Sequence, residues 1–514
     1  MKSRLVFAVA ALAALVLPIA GCGGSSAPDV AGLAPPGSPV FLEGTVRPSG
    51  ELKEDTDAVA KRIAGIDNLG DFVVSELESS ARADGESLDF EAEVEPWLGE
   101  RGGIFFERLE EGDLSSPGVI VESTDTGATQ EFIDTQVEAS NAPYRDASYE
   151  GVDFAVGGED GNAIGVIGDF LALGDDERVF KEMVDASSGD SLADEARFSD
   201  AISAASDGSL ADVYVDVGGL IEQSGDEIDP TARQVLQNAG IDPSEATAVA
   251  SVIPRSEQVE IELSSDLGGE KPPTGDASAL LGSLPSSSFA AIGVSGFGEQ
   301  LQEALDELDA QGVPGTIPPN QLKKGVKELG IDLEGLVDSL EDAAVFATGN
   351  SERSLGGALV LTAKGSKASE AVERAVTLLR AFKVDGVSVL GGKASGFAVR
   401  SEELGSKPLV VAAKQGRVAI GYGTPQTLLA LNQPSGKTLA DNPTYKEAVS
   451  ALGSTPIGGF VDGAAALKLA GRLVPKSDRG FQEAKRFLRG IAYLAIGTGT
   501  QDELATAKVI VGLK

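Results

Sequence analysis

From Val40 onward, short apolar runs alternate with longer amphipathic ones. Val40 to Val46, Ile104 to Arg108, Gly118 to Ser123, Val152 to Val156, Ala163 to Ile167 and Phe170 to Leu173 are short runs separated by Gly and Asp, the pattern of strands joined by tight turns. Asp55 to Ser80 and Gln130 to Glu138 carry helical periodicity instead. Ala368, Ala371, Val372, Ala375, Val376, Leu379 and Phe382 fall at spacings of three and four, so they share one face of a helix. Ala246 to Val252 with Gln258 to Leu263, and Ile491 to Gly497 with Ala505 to Val511, read as closing hairpins. Consecutive strands with short turns pair antiparallel. The expected class is α+β: a mainly antiparallel sheet with helices packed on one face.

The pattern also repeats. Ser191 to Phe198 matches Thr438 to Tyr445, an offset of about 247 residues, and Phe170 to Gly174 matches Arg417 to Gly421. Leu88 to Glu91 matches Ile331 to Glu334, and Pro39-Val40-Phe41 matches Ser287-Ser288-Phe289. Matches in the same order predict two tandem copies of one domain. Their expected bounds are 37–266 and 283–514, with a Gly/Pro-rich linker at 267–282.

Ahead of the copies, Lys2 and Arg4 precede an apolar run from Leu5 to Leu17. At about 13 residues it is too short to span a bilayer and reads as a signal peptide covering 1–21. Ile19-Ala20-Gly21-Cys22 is a lipobox: a branched apolar residue and two small residues recognised by the signal peptidase, then the thiol that takes up diacylglycerol. Cys22 is the single cysteine, followed by Gly23-Gly24-Ser25-Ser26 in a flexible tether at 22–36. The segment predicts a lipoprotein anchored by fatty acyl groups such as palmitate to the extracytoplasmic face of the cell membrane.

Pro96-Trp97-Leu98-Gly99-Glu100-Arg101, just before a strand, and the opening Ala34 to Phe41 resemble an actinobacterial and cyanobacterial family known as domain of unknown function 3352. The resemblance covers most of the chain after the signal segment. In the second copy the matching stretch is Asp338 to Asp342, without Trp, Gly or Arg. The family brings lineage and no assigned site residues. Trp97 itself reads as a core anchor at a helix-to-strand corner.

Composition then narrows the chemistry. There is no histidine, which removes the commonest general base and His-ligated zinc or haem. Lipidation of Cys22 removes thiolate chemistry as well. Asp175-Asp176-Glu177 does not have the spacing of a calcium loop; Asp175 and Asp176 instead suit the N-terminus of the following helix. No catalytic residue, metal site or cofactor is assigned.

Charge separates the copies. Residues 22–266 hold 13 Lys+Arg against 54 Asp+Glu, whereas residues 267–514 hold 26 of each. The acidic first copy suits cations or a basic protein and not nucleic acid. Near the end of the second copy, Lys468, Arg472, Lys476, Arg479, Lys485, Arg486 and Arg489 face only Asp478 and Glu483. This segment is the candidate membrane or partner docking site, onto anionic lipid headgroups or onto the acidic first copy. The sequence therefore reads as a membrane-anchored, non-enzymatic binding or scaffold protein of the cell envelope. The alternatives are a carboxylate-dependent extracytoplasmic hydrolase and a carrier of lipid or another apolar ligand.

Overall fold

A computed structural model describes residues 29–514 except 84–87, 111–112, 141–142, 158–160, 225–243, 269–274, 313–317, 319, 329, 331, 383, 393, 403, 432–436 and 502–503. The chain forms two compact units. The first comprises the chain through Pro272 together with Thr500–Lys508 and Leu513. The second comprises Pro273–Gly499, Val509–Gly512 and Lys514.

The first unit contains β1 (Val40–Thr45), β2 (Leu98–Glu110), β3 (Asp113–Ser123), β4 (Tyr144–Tyr149), β5 (Val152–Gly157), β6 (Asn162–Ile167), β7 (Phe170–Gly174), β8 (Ala211–Asp216), β9 (Thr247–Arg255) and β10 (Gln258–Asp266). Their spatial order is β4-β5-β6-β7-β3-β2-β1-β8-β9-β10, antiparallel throughout.

The second unit contains β11 (Ser288–Val294), β12 (Leu340–Thr348), β13 (Gly356–Ala363), β14 (Val387–Val389), β15 (Ser395–Val399), β16 (Leu409–Lys414), β17 (Arg417–Tyr422), β18 (Ile457–Asp462) and β19 (Ile491–Gln501), followed in sequence by β20 (Leu504–Leu513). The order is β14-β15-β16-β17-β13-β12-β11-β18-β19, again antiparallel. Each strand number is ten more than that of the strand in the same place in the first unit. Tight turns set several hairpins. Glu150-Gly151 and Gln415-Gly416 both hold positive φ at two consecutive residues, the condition of a type I′ turn whose twist suits adjacent strands.

The fold is α+β, with one correction: helices pack on both faces of each sheet. Alternate residues of β7 show why. Phe170 and Ala172 enter one buried cluster with Phe41, Phe105 and Phe180, while Leu171 and Leu173 enter another with Trp97 and Phe132. A strand apolar on both sides needs cover on both sides. The helices Glu177–Ser188 and Ala196–Ile202 close the first face, and Thr126–Ala139 and Leu69–Ala83 the second. In the second unit Ser278–Gly282, Thr424–Leu431 and Pro443–Leu452 close one face and Lys367–Phe382 packs on the other. The helical periodicity expected through Asp55 to Ser80 is carried by two helices, Gly50–Ala64 and Leu69–Ala83. Gly65 ends the first in the left-handed conformation at φ 75°, returning its N–H to the Ala60 and Lys61 carbonyls.

Candidate functional site

Ile19, Ala20, Gly21 and Cys22 lie outside the described residues. The seven predicted cations fall on two consecutive helices of the second unit and their flanks. Asp462 starts the helix Gly463–Leu473 by accepting the Ala465 N–H at 2.9 Å, and this helix carries Lys468 and Arg472. Lys476 lies in the connection. Asp478 starts Arg479–Leu488 by accepting the Phe481 N–H at 2.9 Å. Arg479, Lys485 and Arg486 lie on this helix and Arg489 is its C-cap, so three of the four sit where the helix dipole favours positive charge.

At 100° per residue the helix divides cleanly. Phe481, Ala484, Phe487 and Leu488 occupy one arc; Arg479, Gln482, Glu483, Lys485 and Arg486 occupy the other. No residue of this helix is buried: Phe487 is 48% and Leu488 38% exposed. Lys485 holds its ammonium 5.8 Å from the Phe481 ring centre. Arg472 donates to the Asn350 carbonyl. Among the described residues, no carboxylate pairs with Lys468, Lys476, Arg479, Arg486 or Arg489. The structure thus adds an exposed apolar arc to the predicted basic cluster. The signal was present in the sequence as spacings of three and four from Phe481 to Leu488; charge alone drew the prediction.

In the first unit, polar groups concentrate elsewhere. Arg178 donates to Glu107 at 2.7 Å, to Glu182, and to Ser116 at 3.1 Å. Burial first, and then the neighbouring Glu182, pushes the Glu107 carboxyl up to about 7 against the pull of Arg178; its second oxygen is buried without a partner. Burial opposes ionisation of Glu182 too, but hydrogen bonds from Glu107 and Arg178 outweigh it and hold that carboxyl low. The two carboxyls therefore titrate as a pair, with Glu107 the member shifted toward keeping a proton. A cleft of about 650 Å³ is lined by residues of Gly50–Ala64, Leu69–Ala83 and Phe90–Glu93, and several of its acids are engaged structurally. Asp57 pairs with Lys53 and accepts the Leu69 N–H, Glu78 accepts the Phe90 N–H, and Asp89 caps Phe90–Glu93. Asp176 caps Glu177–Ser188 by accepting the Val179 N–H at 2.7 Å. Among the described residues, no group of three or more acids is placed to hold a metal ion.

Trp97 is 1% exposed at the corner between Phe90–Glu93 and β2. Its indole N–H donates to the Glu93 carbonyl at 2.7 Å, and its ring packs 5.4 Å from Phe132. It is an anchor of the core. Among the described residues, no helix is long and apolar enough to cross a membrane.

These features define an α+β protein of antiparallel sheets with a cationic, amphipathic surface helix. The chain belongs to the family described as protein of unknown function (DUF3352), whose model matches residues 73–513. No curated protein matches. A solved structure titled "Structure of crystal form I of TP0453" is 14% identical, with 48% of this chain and 82% of that chain covered and a TM-score of 0.27.

Proposed function

We propose that this is a non-enzymatic lipoprotein of the extracytoplasmic membrane face, whose second unit docks on anionic lipid through the helix Arg479–Leu488. One observation carries the reading: a helix with no buried residue presents aromatic and aliphatic side chains on one arc and cations on the other. Such a helix lies in a bilayer interface, its apolar arc among the acyl chains and its cations against headgroups. Each cation near an anionic surface contributes about 1 kcal/mol, so a cluster stabilises docking even before Phe487 and Leu488 enter the lipid. An acyl anchor at Cys22 would supply the second signal that durable attachment requires.

The same strand order and the paired sequence matches support descent of the two units from one duplicated domain. Divergence then left the docking helix in the neutral unit and the excess of acids in the other.

Flotation with vesicles tests the docking. A full chain carrying Cys22→Ser should float with phosphatidylglycerol vesicles and stay down with phosphatidylcholine. Reversing Arg479, Lys485, Arg486 and Arg489 to Glu, or truncating Phe487 and Leu488 to Ala, should abolish flotation. Flotation indifferent to both sets overturns the reading. The anchor is tested separately by mass spectrometry of the native protein, where a bare thiol or retained residues 1–21 would sink it.

A further inference from the structure

The second unit leaves part of one sheet face uncovered. Ile292 on β11 and Val345 on β12 are register partners, 62% and 54% exposed. Val294, two residues along on the same face, is exposed as well. The row does not end there. Val345 pairs with Leu359, Leu359 with Ile420, Ile420 with Val411, and Val411 with Phe397. Every position is apolar. From Ile292 to Phe397 the row crosses five strand spacings, about 24 Å, of which the first two, from Ile292 to Leu359, span about 10 Å, enough for part of an acyl chain. Its far part runs over β15, β16 and β17, on which Lys367–Phe382 packs; its near part lies open.

The borders of the open part carry charge. The helix Gly463–Leu473 packs on β11 and contacts Arg479–Leu488. Lys468 and Arg472, one turn apart, lie on its exposed side. Phe297–Gln311 packs on β12 and exposes Leu308. An aliphatic floor beside Lys468 and Arg472, the latter donating to the Asn350 carbonyl, is complementary to one kind of molecule, an amphiphile with an anionic head. A second copy of the chain is a poorer fit, since three exposed aliphatic side chains fall far short of the roughly 800 Å² per partner of a stable interface.

We propose that this strip binds the acyl chain of an anionic lipid, with Lys468 and Arg472 facing its head. The proposal rests on the membrane location argued above but uses different residues. The ligand lies along the open row Ile292–Val345 and ends against Leu359, where the row passes into the packing beneath Lys367–Phe382. Binding buries this exposed apolar row, and the chemistry is sequestration without bond making.

Equilibrium dialysis of labelled palmitate against the full chain carrying Cys22→Ser tests this. Saturable binding near one per chain is expected. Ile292→Asp and Val345→Asp should each weaken it at least tenfold while leaving flotation on phosphatidylglycerol vesicles intact, and both positions are exposed enough for the variants to fold. Lys468→Glu with Arg472→Glu should weaken it severalfold. Phe487→Ala with Leu488→Ala should keep palmitate binding and lose flotation, which separates failure of this site from failure of the docking helix. Non-saturable binding, or binding unchanged in both Asp variants, overturns the proposal. So does sedimentation showing a dimer that Val345→Asp converts to monomer, because the strip would then be a contact between copies.

Discussion

Ile104 in the first unit and Val345 in the second hold the same place in strand order and register, yet Ile104 is 8% exposed and Val345 54%. The polar framework around them is alike. Each follows a short helix begun by an aspartate, Asp89 in one unit and Asp332 in the other, accepting a backbone N–H. Each helix is followed by a side chain that donates back to one of its carbonyls: Trp97 to Glu93, and Ser339 to Leu336 at 2.6 Å. Both strands then pass an irregularity in register, between Leu98 and Gly102 or between Leu340 and Ala343. What differs is volume. The indole joins Val94, Phe132 and Ile133 in a roof over Ile104, Val119 and Leu173. A serine makes the hydrogen bond and fills nothing, and the described buried members of the cluster on that face of the second unit are all aliphatic, with Phe297 packed against them only half-buried. One scaffold, with its hydrogen bonds retained, has thus been closed in one unit and left open in the other.

The sharpest way to break this comparison is to put the same charge at both positions. Ile104→Asp buries an unpaired carboxylate and should cost more than about 4 kcal/mol, enough to unfold the first unit. Val345→Asp sits in water and should cost less than about 1 kcal/mol. Urea denaturation followed by circular dichroism would measure both, and equal costs would end the argument that one row is roofed and the other open. Next in size is the roof itself. Trp97→Ala should cost roughly 3–5 kcal/mol through the cavity it leaves, whereas Ser339→Ala should cost only about 1 kcal/mol for its hydrogen bond.

How far could this have been read from residues alone? The α+β class was legible, because tight turns between short apolar runs leave antiparallel pairing as the natural outcome. The strand Tyr144–Tyr149 was not: as the edge strand with Arg145 and Asp146 exposed, it lacks the apolar alternation that marks a strand. The cover on both faces was missed although Phe170-Leu171-Ala172-Leu173 shows no polar member, the signature of a strand buried on both sides. The basic cluster was visible as composition. The exposure of Phe487 was not, since it depends on nothing packing there. The open strip depends still more on the whole fold, because Ile292 and Val345 look in sequence like any core strand residues.

A further contrast lies in ionisation. The position of Glu107 in β2 is occupied in β12 by Thr348, which donates its hydroxyl to the Ser287 carbonyl at 2.9 Å. Glu107 keeps its proton up to about 7 in the fold and releases it near 4.5 when unfolded. The folded state therefore binds more protons than the unfolded state between those values. The sign follows: stability present at low pH is lost as pH rises from about 4.5 to 7, and the curve flattens above. Glu182, held low, acts oppositely, and its contribution is lost as pH falls below the ordinary carboxylate range. Trp97 is the single tryptophan, so its fluorescence follows the first unit. Glu107→Gln should remove a slope worth about 3 kcal/mol across that window. A wild-type midpoint constant from pH 5 to 8 would refute the upward shift of Glu107.

The smallest expected effect concerns a feature that the two units share. Ser191 and Asp194 form a capping box, with the Ser191 N–H 3.0 Å and its hydroxyl 2.8 Å from the carboxylate. Thr438 and Asp441 repeat it at 2.9 and 3.2 Å. In both, the next residue's N–H reaches a carbonyl ahead of the first strand of its unit, Leu192 to Ala34 and Leu439 to Leu284. These bonds hold both carboxyls low, through the Ser191 hydroxyl first in one and the Thr438 N–H first in the other. Loss of either cap should act locally and without regard to what covers the sheet face. Asp194→Ala and Asp441→Ala should then lower the unfolding midpoints of their own units by equal amounts, smaller than any change above. A larger loss in the open unit would mean that its missing roof has already weakened the scaffold, and that the two units differ in more than the volume of one side chain.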